Sequence, residues 1–194
     1  PGDADAMDER LRSLLTGNDD IFGASISFGP GGWPNPDGTR AAEPRATYYH
    51  HAANDPTDLV HVWLEEVYAY ADPVSGQDWY LRPLTEGAGW GAPYWDEGGR
   101  TLMVTYSEVF TISDPATATP GDPATRPGGV VTVDVSAEHL RHIIEGLDLG
   151  PSGFGALVSS AGTYLYHPNY EYVRDLTRME DVARLKGDQD RILI

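Results

Sequence analysis

The sequence predicts an α+β fold with a central antiparallel sheet flanked by helices. Segments rich in β-branched and aromatic residues outnumber those with a helical period. Two pairs of these segments are joined by short turns containing glycine, which is typical of antiparallel hairpins. The predicted helices do not alternate regularly with strands, so the parallel sheet that βαβ units build is disfavoured.

The first predicted element is a short amphipathic helix in "DADAMDERLRSLLTG". Its apolar stripe consists of Met7, Leu11, Leu14 and Leu15, and Gly17 stands where a C-terminal cap belongs. A half-buried strand is predicted next in "IFGASISF", where larger apolar residues alternate with glycine and serine. The glycine and proline content of "GPGGWPNPDGTRAAEP" then predicts a loop.

The middle of the chain is predicted to form strands. "RATYYHH" and "LVHVWLEEVYAY" carry the residue types that favour strands, although the second segment could begin as a helix. "PYWDEGGRTLMVTYSEVF" predicts a hairpin that turns at residues 96–99, where two glycines can adopt positive φ.

A strand running into a helix is predicted after the loop "DPATATPGDPATRPGG". The strand covers Val130 to Val135, and Ser136 is the expected N-cap of the helix. We expect the helix to bury a stripe made of Leu140, Ile143, Ile144 and Leu147. "FGALVSSAGTYLYHP" predicts a second hairpin that turns at residues 161–162.

Composition excludes several classes of function. The 194 residues carry a formal net charge of −17, which repels nucleic acid and anionic headgroups. The chain has no cysteine, so thiolate metal sites, cysteine nucleophiles and disulfides are excluded. No apolar run approaches the roughly 18 residues of a membrane span, which fits a soluble protein or the ectodomain of a membrane protein.

Motifs of catalysis and cofactor binding are missing from the sequence. We find no GxGxxG or GxxxxGK phosphate loop, no HExxH zinc motif and no GxSxG nucleophile elbow. We therefore expect no cofactor, no metal and no catalytic residue. Carboxylates such as Asp96, Glu97 and Asp134 leave a secreted hydrolase as an alternative.

Aromatic residues and carboxylates are concentrated in residues 76–108. They could form an ordinary hairpin core, or a cage that binds a cationic or amphipathic small molecule through the ring faces. Asp134 lies in "VVTVDVS", near the end of a strand expected to be buried. A buried carboxylate needs a partner, which could be the N-terminus of the following helix or the ammonium group of a ligand.

Five blocks in order resemble the double Cache, or PAS-like, extracytoplasmic sensor domains of bacteria. They are Trp79-Tyr80, then Trp90 to Gly99, then "LMVTYSEVF", then "GVVTVDVSAEHL", and finally "GFGALVSSAGTYLYHP". The resemblance covers residues 20 to 170 or so, most of the chain. It implies a ligand-sensing ectodomain of a chemoreceptor, histidine kinase, cyclase or phosphatase.

The resemblance also implies a domain organisation. Residues 1–18 would be the end of a long N-terminal helix, 19–147 a membrane-distal PAS-like ligand-binding module, and 148–194 a short or partial membrane-proximal module. Receptors of this kind signal as homodimers, whereas the isolated chain would be a monomer or a weak dimer. The membrane would be reached only through spans that this chain lacks.

Ligand-binding residues are implied by the same resemblance. Amino-acid sensors of the family carry an R-x-W-Y string whose arginine binds the ligand carboxylate, and Gln77 stands at that position here. Asp134 matches the residue that receives the ligand ammonium. We therefore expect an amine or another small polar organic ligand, bound by Gln77, Trp79, Tyr80, Trp90, Tyr94, Asp96, Tyr106 and Asp134. A structural module without a ligand is the remaining alternative.

Overall fold

The computed structural model describes residues 4–52, 55–97, 99–113, 124–150, 153–159 and 161–186. The strands within these ranges are β1 (Gly23–Phe28), β2 (Arg45–Ala52), β3 (Asp55–Trp63), β4 (Gly89–Trp90), β5 (Tyr94–Asp96), β6 (Thr101–Ser113), β7 (Thr125–Ser136), β8 (Leu157–Val158) and β9 (Tyr164–Tyr166). The α-helices are α1 (Ala4–Thr16), α2 (Asp78–Glu86), α3 (Ala137–Glu145), α4 (Tyr170–Arg174) and α5 (Met179–Lys186).

Seven of these strands form one sheet in the order β3-β2-β1-β7-β6-β4, with β5 also paired to β6. The pairs β1–β2, β1–β7, β2–β3, β4–β6 and β5–β6 are all antiparallel. The predicted α+β fold with a central antiparallel sheet is therefore confirmed. Asp134 lies near the end of β7, a middle strand, as expected.

The chain divides into two compact units. The first comprises residues 1–91, 97–99 and 105–134, and the second comprises 92–96, 100–104 and 135–194. The helix α3 therefore groups with the second unit, whereas the resemblance places it in the distal module. Among the described residues, no helix has the length and apolar character needed to cross a bilayer.

The first unit packs α1 on one face of the sheet. The predicted helix is confirmed, and Leu11 and Leu15 of its stripe are buried against Ala24 and Tyr49. Leu14 is 36% exposed, so the buried stripe is narrower than the sequence suggests. β1 is buried on both faces and not only on the face that its larger residues form.

The second unit has a core made of Leu102, Tyr164, Val173 and Val182. The predicted hairpin in this region is confirmed as β8 and β9, with Gly162 at φ 85° in the turn. Two such short strands provide little area to cover a helix.

The predicted N-cap of α3 is confirmed, because His139 N donates to Ser136 Oγ at 3.1 Å. The predicted buried stripe of α3 is wrong. None of its residues is buried, and Ile143 and Leu147 are 51% and 53% exposed. Leu140 and Ile144 are only partly buried, because α3 packs against the short β8–β9 hairpin instead of a broad sheet.

Other predicted boundaries need correction. The strand predicted over 59–70 ends at Trp63, and Leu64–Glu66 form a 3-10 turn. The predicted loop over 114–129 lies partly outside the described residues, and its last part, from Thr125, belongs to β7. Gly129 of β7 pairs with Phe28 of β1. A Cβ at residue 129 would lie 2.0 Å from Ser27 O, so glycine at this position permits the close pairing of β1 and β7.

Candidate functional site

The candidate site includes two serines of β1 that alternate with apolar residues along the strand. Ser25 and Ser27 are 1% and 0% exposed, and they point away from the face of β1 that Ala24 presents to α1. Ser25 Oγ lies 3.0 Å from Ser27 Oγ and 2.8 Å from Thr132 Oγ1 on the neighbouring strand β7. The sheet therefore has one face that is buried and polar.

Strand register determines which other side chains share this face. Ser25 stands opposite Tyr48 on β2, and Gly23 stands opposite His50 on β2 and Asp134 on β7. Residues directly opposite each other in an antiparallel pair project to the same side of the sheet. We call this surface the polar face. Its polar or ring-bearing residues and its glycine are Gly23, Ser25, Ser27, Tyr48, His50, Thr105, Ser107, Thr132 and Asp134, and the apolar Ala46 and Val130 stand on it opposite Ser27.

Asp134 is the carboxylate of the polar face and is only 3% exposed. Thr105 Oγ1 of β6 donates a 2.7 Å hydrogen bond to Asp134 Oδ1. The sequence suggested a helix N-terminus or a ligand cation as partners of this carboxylate and missed Thr105. The bond fixes one carboxylate oxygen and shows that Thr105 and Asp134 lie on the same side of the sheet.

Ser107 follows two residues after Thr105 on β6, so it projects to the same face. It is 0% exposed, and its hydroxyl has no hydrogen-bond partner among the residues that the structure describes. A buried hydroxyl without a partner costs roughly 1–3 kcal/mol. Such a group is rare in a core that serves stability alone.

Gly23 allows Tyr48 to lie across β1. A Cβ at Gly23 would stand 2.4 Å from the Tyr48 hydroxyl and 2.7 Å from the nearest ring carbon. Tyr48 is 2% exposed, so its ring has little room to move. The absence of a side chain at residue 23 therefore brings a phenol towards the same row of the sheet as Asp134.

Trp79 and Tyr80 lie on α2, a helix that the sequence did not predict. They are 6% and 4% exposed and pack with Tyr70, whose ring centroid is 5.6 Å from that of Trp79 and 4.9 Å from that of Tyr80. Tyr70 also donates to Phe28 O at 2.7 Å. These rings pack on one another as core residues do.

Burial raises the pKa of Tyr70 and of Tyr80 above that of a free phenol. Both therefore remain neutral at physiological pH. Gln77 precedes α2, and its carbonyl accepts hydrogen bonds from Tyr80 N and Leu81 N at 3.0 and 2.9 Å. Its side chain is partly buried.

Trp90 and Tyr106 are not brought to the polar face. Tyr106 lies between Thr105 and Ser107 in β6, so it projects to the opposite side, and Trp90 is its cross-strand partner. The two rings meet edge to face at 5.5 Å, and Trp90 is 56% exposed. The expectation that all the predicted rings converge on Asp134 does not hold for these two.

Tyr94 and Asp96 belong to β5 in the second unit. The predicted hairpin is confirmed there, since Tyr94 pairs with Met103 and Asp96 with Thr101. Asp96 is 4% exposed, whereas Glu97, the other acid named for hydrolysis, is exposed. Their assignment to a ligand site stays a prediction.

An open cleft of about 690 Å³ lies beside α1, on the other side of the sheet. Its lining includes Asp5, Asp8, Glu9, Arg12 and Tyr49. Burial and the nearby Asp8 carboxylate raise the pKa of Tyr49. Asp8 also accepts a 2.6 Å hydrogen bond from Thr47 Oγ1, so at least one carboxylate of this cleft serves to hold α1 on the sheet.

Sequence reasoning missed most of the polar face. Ser25, Tyr48, Thr105, Ser107 and Thr132 were not among the predicted site residues. A signal was present in "IFGASISF", where serines alternate in a strand, but their neighbours depend on pairing between segments about 107 residues apart. No motif in a single segment reports that pairing.

Comparison with known proteins supports the same kind of fold. Residues 7–142 match the model of the family described as methyl-accepting chemotaxis protein-like, first PDC sensor domain. A search of curated proteins gave no match.

Solved structures with low sequence identity share the fold. The extracellular domain of a protein described as a histidine kinase, mmHK1S-Z3, has a TM-score of 0.67 at 20% identity. The alignment covers 96% of this chain and 62% of the mmHK1S-Z3 chain. The ligand-binding domain of the Pseudomonas aeruginosa chemoreceptor PctB, solved with L-Arg, has a TM-score of 0.54 at 21% identity. The alignment covers 94% of this chain and 56% of the PctB chain.

The ligand-binding domain of the P. aeruginosa chemoreceptor PctC, solved with GABA, has a TM-score of 0.56 at 17% identity and covers 99% of this chain and 67% of its own. The chain thus spans roughly three fifths of the length of the first two of these structures. The family match extends over well more than half of the sequence, from α1 into α3. The chain belongs to the family of methyl-accepting chemotaxis protein-like first PDC sensor domains.

Proposed function

We propose that this chain is the extracytoplasmic small-molecule sensor domain of a bacterial transmembrane receptor, and that its ligand binds at the polar face. The observation that carries the proposal is Asp134, a carboxylate that is 3% exposed among buried hydroxyl groups in the middle of the sheet. Such a carboxylate can receive a ligand ammonium in a site of low dielectric.

The density of buried polar groups favours binding over a purely structural role. Thr105, Ser107, Thr132, Ser25 and Ser27 all have side chains that are 5% exposed or less. An apolar layer of the same shape would stabilise the fold more, because buried polar groups gain little net free energy even when they are hydrogen-bonded.

The family and the matched structures are sensor and ligand-binding domains of receptors, and not enzymes. This favours ligand binding over hydrolysis by Asp96, Glu97 or Asp134. The ligands named for two of the matched structures, L-Arg and GABA, both carry an amine. We propose an amine-bearing or other small polar ligand for this chain too, held at Asp134.

Transmission of the signal would begin at β1. Its residues alternate between the two faces, so Gly23 and Ser25 adjoin the proposed ligand while Ala24 packs in the cluster with Leu11 and Leu15 of α1. A shift of β1 on ligand binding would therefore displace α1. The ligand must bind one signalling state more tightly than the other for this to change the output.

The same proposal assigns the units to modules. The first unit would be the membrane-distal module and the second the membrane-proximal one, with the output module and membrane spans elsewhere in the receptor. The receptor would signal as a homodimer, and the isolated chain would be a monomer or weak dimer. Sedimentation at micromolar concentration tests this, and a tight dimer would contradict it.

A thermal-shift screen with amines, amino acids, organic acids and sugars is the first experiment. A ligand at 100 times its Kd stabilises the protein by about 2.7 kcal/mol. A hit should then be titrated calorimetrically into the native protein and into Asp134→Asn. The variant should lose roughly 1.5–3 kcal/mol in binding free energy, the value of a charge-assisted hydrogen bond.

The exposed Asp58 provides the matched control, because Asp58→Asn changes the net charge equally and should leave the affinity unchanged. Equal affinities of the native protein and Asp134→Asn would mean that the carboxylate is structural. A screen without any hit would favour a module that binds no small molecule.

A further inference from the structure

The seven-stranded sheet has one long edge. Among the described strands, β3 is paired to β2 alone, and the strand at the other end of the order, β4, is two residues long. β3 has nine residues, Asp55–Trp63, and its pairing with β2 is regular from Leu59 to Trp63. The backbone groups on its outer side are therefore placed to receive a further strand.

Hydrogen bonds along β2 show which of its residues face β3. His51 N donates to Phe22 O at 2.9 Å, on the side of β1. Ala46 N donates at 2.9 Å to Oε2 of Glu65, which follows β3 in the chain. Backbone N–H groups alternate between the two sides of a strand, so the even-numbered residues of β2 bond to β3 and the odd-numbered residues bond to β1.

The same alternation identifies the outward-facing residues of β3. Val60 and Val62 stand opposite residues 50 and 48 of β2, so their backbone groups are used in that pairing. Leu59 and His61 consequently direct both N–H and C=O away from β2, and Trp63 directs its N–H the same way. None of these outward groups makes a backbone hydrogen bond to another residue that the structure describes.

This edge lacks the features by which natural sheets prevent unwanted pairing, chiefly charged side chains, prolines and bulges. Residues 59–63 read "LVHVW" and contain no Lys, Arg, Asp, Glu or Pro. The register shift of the β2–β3 pair lies beyond them, at His51/Ala52. The side chain of Val60 is 38% exposed. Residues 59–63 thus form an edge of strand-favouring residues that is ready to pair.

Acidic groups flank this edge. Between Arg45 and Arg82 the sequence contains six acidic residues and neither lysine nor arginine. Asp58 at one end of residues 59–63 and Glu66 beyond the other end are both exposed. A second copy of the chain is therefore a poor occupant. Two-fold antiparallel pairing would bring the acids of both copies together, and each copy carries a net charge of −17.

We infer that residues 59–63 are a docking edge for an extended, basic segment of another protein, which adds an eighth strand to the sheet. Leu59 and His61 exchange backbone hydrogen bonds with alternate residues of that segment. Lys or Arg at its ends lie near Asp58 and Glu66, and β-branched residues between them pack beside Val60. The docking edge is separate from the polar face and does not depend on the ligand proposed there.

Hydrogen bonds connect the docking edge to α1. His61 Nε2 lies 3.0 Å from Thr47 Oγ1, and Thr47 Oγ1 donates to Asp8 of α1 at 2.6 Å. A threonine hydroxyl has one proton, so Thr47 accepts from His61 and the imidazole carries its proton on Nε2. The His61 ring also stacks on Tyr49, with 4.6 Å between centroids. A docked strand therefore reaches side chains that hold α1 on the sheet.

Synthetic heptapeptides test the inference. The basic probe is acetyl-Lys-Thr-Val-Thr-Val-Thr-Lys-amide, and the acidic probe has Glu in place of both Lys residues. Each is titrated calorimetrically into the full chain. The basic probe should bind, and the acidic probe should bind about 10-fold more weakly or not at all, because two attractive charge pairs become repulsive.

Amide hydrogen exchange followed by NMR distinguishes an added strand from general attraction to an acidic surface. With the basic probe at about 10 times its Kd, exchange should slow about 10-fold at the outward N–H groups of Leu59, His61 and Trp63. Val60 and Val62, whose N–H groups already bond to β2, should change less. Equal changes at all five residues, or none, would contradict strand addition.

Substitutions on the chain give a second test. Asp58→Lys and Glu66→Lys should each weaken the basic probe about 2-fold to 5-fold, the value of an exposed ion pair, and should strengthen the acidic probe. Glu86→Lys is the matched control. It changes the net charge equally at an exposed position before β4, at the other edge of the sheet, and should leave both affinities unchanged. Circular dichroism checks that each variant is folded.

Three results would overturn the inference. The first is a basic probe that does not bind the native chain. The second is a loss in Glu86→Lys equal to that in Asp58→Lys, which would mean attraction to net charge alone. The third is exchange at Leu59 and His61 that slows in the free chain as its concentration rises, which would place a second copy on the edge. None of these results bears on Asp134, so the proposed function is tested separately.

Discussion

The two faces of the sheet in the first unit are both buried but differ in the chemistry of most of their side chains. One packs Ala24 and Tyr49 against Leu11 and Leu15 of α1, and we call it the apolar face. The polar face carries Asp134 with a group of buried hydroxyls. Burial alone therefore does not identify the core, because one face buries hydrocarbon that stabilises the fold while the other buries groups whose net contribution is small.

Shortening a side chain on the apolar face should have the largest effect. Leu15 is 0% exposed, so Leu15→Ala should lower the free energy of unfolding by about 2–5 kcal/mol. Urea denaturation measures this loss. Leu14→Ala, at a position that is 36% exposed, is the matched control and should cost much less.

If the two faces differ in this way, shortening an equally buried side chain on the polar face should lower the free energy of unfolding less than Leu15→Ala does. Ser27 is also 0% exposed, and Ser27→Ala should cost only about 1 kcal/mol, the net value of a hydrogen bond. A cost equal to that of Leu15→Ala would show that the polar face is a stability element after all.

Adding a methyl group to the polar face should have an intermediate effect. Gly23→Ala places a Cβ 2.4 Å from the Tyr48 hydroxyl, and displacing the buried ring should cost about 1–3 kcal/mol. Thermal unfolding detects the change. Combining it with Tyr48→Phe should recover part of the loss, because the closest atom is removed.

Gly146 is the control, since a Cβ there would meet nothing nearer than 3.4 Å and Gly146→Ala should be well tolerated. Equal effects of the two alanine substitutions would mean that Tyr48 does not lie across β1 as the structure has it.

The smallest expected effect on stability near neutral pH comes from the ionisation of the buried phenols Tyr70 and Tyr80. Because burial raises the pKa of Tyr70 and of Tyr80, the folded protein holds their protons more tightly than the unfolded chain does. Stability from this source is fully present below the unfolded pKa of about 10 and is lost as pH rises above it.

Denaturation at a series of alkaline pH values measures the slope with which the free energy of unfolding falls as pH rises. Tyr70→Phe should reduce it while removing the hydrogen bond to Phe28 O, whereas substitution of the exposed Tyr170 by Phe should leave the slope unchanged. A slope that is identical in native protein and Tyr70→Phe would contradict the assignment.

Sequence reasoning succeeded where the signal was local. The cap Ser136, the turn at Gly162 and the pairing of β5 with β6 depend on residues that are close in sequence. It failed where the answer depended on what covers an element. The apolar stripe of α3 is regular, yet Ile143 is 51% exposed because a small hairpin is its packing partner.

The candidate site shows the same limit. Asp134 was found because a carboxylate in an apolar strand is unusual, whereas Thr105 and Ser25 were missed because serine and threonine are ordinary strand residues. Their importance arises from register, which places them beside Asp134. Trp90 and Tyr106 were included because they are near in sequence, but alternation along β6 puts them on the other side of the sheet.

The central claim is that ligand binds at the polar face rather than in the open cleft beside α1. Titrating the best hit of the thermal-shift screen into isotopically labelled protein and following backbone amide signals by NMR tests it most directly. The account predicts that the largest shifts occur at Gly23, Thr105, Ser107 and Asp134. Shifts concentrated at Asp8, Arg12 and Tyr49, with the polar face unchanged, would contradict it.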